Sequence, residues 1–78
     1  MIAERVRDVM SDLFGVPRDA IDAHASPKTI PQWDSLQHLN LVLALEQEFE
    51  IQFSTEEISA MTDFTQVVET VEQRLAQP

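Results

Sequence analysis

Apolar residues recur at helical spacing from the first turn onward: Ile2, Val6, Val9, Leu13 and Phe14 share one face. The pattern predicts a helix over residues 2–14. Gly15, the one glycine of the chain, stands where a helix ends in a left-handed residue. From 15 to 34 no period is visible, and Pro17, Pro27 and Pro31 interrupt the chain. A loop of this length within a domain is unusual and is commonly functional or partly ordered. Val16, Ile21 and Ile30 are its candidate anchors to the core, and "PRDAI" suits a single turn. A second helix is predicted over 35–49, with Asp34 as N-cap and Gln37 completing a capping-box pattern. Ser54 and Glu57 repeat that pattern and open a short helix, 55–60. Thr62 or Asp63 then caps a fourth helix, 64–75, with Phe64, Val67, Val68, Val71 and Leu75 in one stripe. No alternating apolar run supports a sheet. The expected fold is all-α: a small four-helix bundle, three main helices and one short one, in a single domain spanning 1–78.

The second helix has more apolar residues than one face needs. At about 100° per residue, Leu41, Val42, Leu45 and Phe49 fall together and should face the core. Leu36, Leu39 and Leu43 fall nearly opposite, bordered by Asn40, Glu46 and Gln47. A helix in such a bundle normally buries one stripe. The second stripe either packs under the short helix and the long loop, or stays half-exposed as a docking surface with a polar rim. His38 falls toward the core side near the loop, as a packed or solvated residue.

Composition narrows the function. The apolar fraction of 44% is ordinary for a folded domain. With no cysteine there is no disulfide, thiolate nucleophile or sulfur-bound metal, and no metal site is expected. Five basic against fourteen acidic residues give a net charge of -9. That argues against nucleic acid, whose phosphates require cations, and favours basic protein partners. Glu4, Arg5, Arg7 and Asp8 interrupt the first apolar residues, so no signal peptide is expected. No run approaches the roughly 18 apolar residues of a membrane span, and a cytoplasmic location follows as the expectation.

Ser35, at the start of the second helix, has three readings. It is an ordinary first-turn residue. It is a nucleophile with His38 and Asp34 nearby, against which stand the capping role of Asp34 and the absence of a glycine-rich oxyanion loop. Or it is an attachment point, where a phosphodiester would meet the free amides and positive dipole end of the helix.

The segment "DSLQHLNLVLALEQEFEIQFSTEEI" resembles the acyl carrier proteins, and the similarity in pattern extends over essentially the whole chain. The D-S-L triplet alone is a weak motif; followed by "LVLALEQEF" and an E-E pair on a short helix it is specific. The resemblance implies that Ser35 carries 4'-phosphopantetheine, installed from coenzyme A by a phosphopantetheinyl transferase. The thiol of that arm would hold acyl cargo as a thioester, which accounts for a chain without cysteine. Asp34 would serve transferase recognition or helix capping. The chain would catalyse nothing and would present cargo to partners at high effective concentration. Leu36, Leu39, Asn40, Leu43, Glu46, Gln47 and Glu57 match or border partner-contacting positions. Leu43, Leu45, Ile58 and Met61 are candidates to line an acyl cleft between the second and third helices. The implied partners are the transferase, an acyl- or aminoacyl-loading ligase or transferase, and downstream synthase or transferase enzymes, met by a monomer.

Several positions depart from the family pattern. Gln32 and Trp33 stand where many members have a glycine before D-S-L. Gln37, Asn40 and Gln47 are neutral where fatty-acid carriers are acidic. The "WDSL" form is more similar to carriers of specialised pathways: polyketide, modified fatty acid, aminoacyl or surface-glycan precursor chemistry. Trp33 either packs on the loop or flanks the arm. An aminoacyl or peptidyl carrier shares the attachment chemistry, and a helical interaction module without a prosthetic group is the alternative of another class.

Overall fold

The computed structural model describes residues 1–76. Four α-helices follow one another: α1 Ile2–Phe14, α2 Ser35–Phe49, α3 Thr55–Ala60 and α4 Phe64–Ala76, with a single 3-10 turn at Arg18–Ala20. The described residues contain no strand. The helix limits predicted from periodicity and caps hold to within a residue, and the turn falls within "PRDAI".

Each main helix turns one stripe inward. Val6, Met10 and Phe14 are buried from α1; Leu41, Val42, Leu45 and Phe49 from α2; Phe64, Val67, Thr70 and Val71 from α4. Leu75, expected in the α4 stripe, lies at its exposed edge. The buried Thr70 hydroxyl donates to the Gln66 carbonyl 2.8 Å away, within its own helix. α1 packs on α2 and α4, and α2 packs on α4; α3 has the thinnest contact with the rest.

The long loop is ordered by its own anchors. Ile21 and Ile30 are buried and Val16 is half-buried. The sequence pattern did not single out Ala25, which is also buried. Its carbonyl accepts the Phe64 amide at 2.8 Å, and the Thr65 hydroxyl donates to the Ala23 carbonyl at 2.9 Å. The loop thereby caps the start of α4, where amides have no partner within the helix. Asp63 takes another of them, the Gln66 amide, at 2.8 Å. On the other side Arg7 donates to the Ile21 carbonyl at 2.8 Å and lies over the Phe64 ring.

Helix ends follow their caps. Asp34 accepts the Gln37 amide at 2.8 Å. The reciprocal half of that capping box is not made, because the Gln37 side chain donates to the Leu13 carbonyl and accepts from Asn40. At α3 both halves form between Ser54 and Glu57. α1 and α2 both end in the left-handed region, at Gly15 (φ 69°) and Glu50 (φ 55°). A side chain in that region costs about 1–2 kcal/mol. Gly15→Ala should therefore lower stability by about that amount, although a Cβ there meets no neighbour. Glu50→Gly should raise it by up to about 1 kcal/mol, the strain relief being offset in part by chain entropy. Urea unfolding of the two variants checks both signs.

Candidate functional site

Ser35 is the first residue of α2, directly after its cap, and it is exposed. With the Asp34 carboxylate on the Gln37 amide and the Asp34 carbonyl on the His38 amide, the amides of Ser35 and Leu36 remain at the open end of the helix. No described residue hydrogen-bonds the Ser35 hydroxyl. The residue therefore offers a free hydroxyl beside the positive end of a helix dipole.

Ser35 lies on the wall of an open cleft of about 600 Å³, between the end of the loop, the first turns of α2 and the C-terminal end of α3. Pro27, Trp33, His38, Ile58 and Met61 are among the other wall residues, with the hydroxyl residues Ser59 and Thr62 at the α3 end. Trp33 is 1% exposed. It stacks on Phe14 with ring centroids 5.7 Å apart, and on His38 at 6.1 Å. Its indole N–H donates to His38 Nδ1 at 3.0 Å, so the ring proton of His38 sits on Nε2, 3.0 Å from the Ile58 carbonyl. His38 is thus held at both nitrogens. Its ring is hydrogen-bonded to neither the Asp34 carboxylate nor the Ser35 hydroxyl, which leaves no nucleophile–base pair.

The structure leaves the second α2 stripe exposed. Leu36 is 68% exposed, Leu39 55% and Leu43 58%. Neither α3 nor the loop covers them. Asn40 and Glu46 are half-buried at the border and Gln47 is exposed.

The sequence-assigned residues separate into three places. Of the four cleft candidates, Ile58 and Met61 stand in the cleft beside Ser35. Leu45 is fully buried in the core. Leu43 lines a different, more polar cleft at the far end of α2, with Glu46, Gln47, Glu50, Ile51, Gln52 and Arg74. The acidic partner candidates serve contacts inside the chain: Glu46 accepts the Phe53 amide at 3.0 Å, and Glu57 accepts the Ser54 amide at 2.8 Å while pairing with Arg74 at 3.0 Å. Trp33, His38, Ser59 and Thr62 were not assigned to the cleft from the sequence. The only available signal was a tryptophan five residues ahead of a histidine, which has no periodic meaning.

The Ser54 amide, reinforced by the Arg74 guanidinium, holds the Glu57 carboxyl below its ordinary value of 4.5. A lowered folded value means that the ionised form stabilises the fold. That contribution is complete above the ordinary value and is lost as pH falls through the lower folded one. Glu57→Gln keeps an oxygen for the Ser54 amide and loses the charge. Its stability deficit against wild type, read from urea midpoints, should be largest at neutral pH and should shrink on acidification below 4.5.

No family model matches the chain. Its fold matches the solution NMR structure of a holo acyl carrier protein from Geobacter metallireducens with a TM-score of 0.85. The match covers 95% of this chain and 85% of that one, at 24% sequence identity. The likeness is one of fold, and it agrees with the architecture expected from the sequence.

Proposed function

We propose that this chain is an acyl carrier protein, not a catalyst, with Ser35 as the attachment point of a 4'-phosphopantetheine arm. The observation that carries the reading is the exposed, unbonded Ser35 hydroxyl at the start of α2, in a chain whose fold matches a holo acyl carrier protein. The residues fit the group. The Ser35 oxygen would take the phosphodiester, the amides of Ser35 and Leu36 favour an anion there, and the Asp34 carboxylate is engaged by the Gln37 amide. In the loading step the Ser35 oxygen bonds to the phosphopantetheine phosphorus of coenzyme A and the pyrophosphate linkage breaks. 3',5'-ADP leaves, and the serine proton passes to a base of the transferase. The bound arm supplies a thiol on which acyl cargo is held as a thioester.

The exposed leucines of α2 are the surface for partners: the phosphopantetheinyl transferase, a loading ligase or transferase, and downstream synthase or transferase enzymes. Their setting is acidic overall, at a net charge of -9, which attracts basic partner faces. The neutral Gln37, Asn40 and Gln47 beside the stripe favour the enzymes of a specialised pathway over those of housekeeping fatty acid synthesis. No described helix is long and apolar enough to cross a membrane. The carrier acts as a single monomeric domain in the cytoplasm.

Incubation with coenzyme A and a promiscuous phosphopantetheinyl transferase should add one phosphopantetheine to the intact mass, and Ser35→Ala should gain nothing. Absence of the adduct on wild type, or its presence on Ser35→Ala, refutes the reading. Leu39→Asp places a charge on an exposed position, so its folding stability should stay within about 0.5 kcal/mol of wild type. The same variant should be loaded at least several-fold more slowly, as followed by the rate of mass gain.

A further inference from the structure

The polar bridge across the cleft bears on which cargo the site accepts. We infer that His38 is a positioning residue that latches α3 to α2 and restricts the site to short acyl groups held at the cleft mouth. This rests on the carrier reading of Ser35.

His38 spans the gap between two helices. From α2, its Nδ1 accepts the Trp33 indole N–H and its Nε2–H donates to the Ile58 carbonyl of α3, each at 3.0 Å. Its ring lies within 21° of parallel to the Trp33 rings. Among the described residues no buried side-chain nitrogen or oxygen lacks a partner, so the bridge is complete as it stands. In the core, Trp33, Leu41, Leu45 and Met61 are each at most 2% exposed. An alkyl chain passing from Ser35 between α2 and α3 would have to displace His38 from both partners. That would strand the buried indole N–H and leave the Ile58 carbonyl with only the longer bond from the Met61 amide, at 3.4 Å. Because α3 has little other contact with the bundle, this bridge does much to set its distance from α2. What remains open to cargo is the outer part of the cleft, where Ser59 and Thr62 add hydroxyls to the wall. A short acyl group fits that space, whereas a long hydrocarbon would have to pass the bridge.

The test loads Ser35 from acetyl-, butanoyl- and octanoyl-coenzyme A with a promiscuous transferase, each product being confirmed by mass. Two readouts follow: the melting temperature, and the indole N–H resonance of Trp33, the one tryptophan in the chain. In wild type the melting temperature should be the same for all three cargoes and the resonance should not move with chain length. In His38→Ala the octanoyl form should melt higher than the acetyl form, with a shifted indole resonance. A wild-type octanoyl form that melts higher and shifts the resonance overturns the inference, and this arm decides even if His38→Ala fails to fold. A folded His38→Ala that shows no dependence on chain length also overturns it. Failure of all three donors to add mass to wild type instead removes the carrier reading, and the inference with it.

Discussion

The buried indole of Trp33 is the constraint on which the geometry around Ser35 depends. A ring of that size gains much by leaving water, but its one N–H must then find an acceptor. His38 is that acceptor, and its opposite nitrogen is thereby fixed as a donor to the Ile58 carbonyl. Through stacking on Phe14, the same indole ties the end of the loop to the end of α1. One side chain thus sets the relative positions of α1, the loop, α2 and α3. α3 gains most from this, since six residues are too few to form a stable helix alone. Its N-terminal end is held by the Ser54–Glu57 box and Arg74, and its C-terminal end by His38.

The four arginines all make contacts within the chain. Arg5 pairs with Glu48 and covers the Phe49 ring at 4.4 Å. Arg7 serves Ile21 and Phe64, Arg18 pairs with Asp8, and Arg74 pairs with Glu57. The exposed pairs stabilise little by themselves. Their placement matters more for the surface, because the arginines are tied to intramolecular partners while the chain as a whole stays strongly acidic. The leucine stripe of α2 therefore presents apolar area on an acidic protein, a combination suited to partners with basic rims around an apolar contact.

Much of this was legible in the residues. Periodicity and caps located four helices, and spacing by 100° separated the Leu41–Leu45 side of α2 from the Leu36–Leu39–Leu43 side. Periodicity says which residues share a face and not what stands opposite it, so the exposure of the second stripe needed the structure. The cleft was legible only in part for the same reason. Leu45 shares its face with Leu41 and goes to the core, Leu43 turns outward, and only Ile58 and Met61 meet Ser35. Glu57 accepts the Ser54 amide in the capping box that the spacing marks, whereas Glu46 accepts the Phe53 amide, a use that depends on where the chain turns after α2.

The sequence by itself determined the local structure: the helices and their ends, the inward stripes, and the position of Ser35 as the first residue after an aspartate cap. These rest on interactions within about four residues, which spacing alone encodes. Tertiary structure decided the rest. His38 reaches a carbonyl twenty residues away, the Ala25 carbonyl caps α4, and the loop folds Trp33 beneath the cleft. Such pairings join segments whose meeting is set by how a twenty-residue loop returns to the core, and no repeat along the chain marks them in advance.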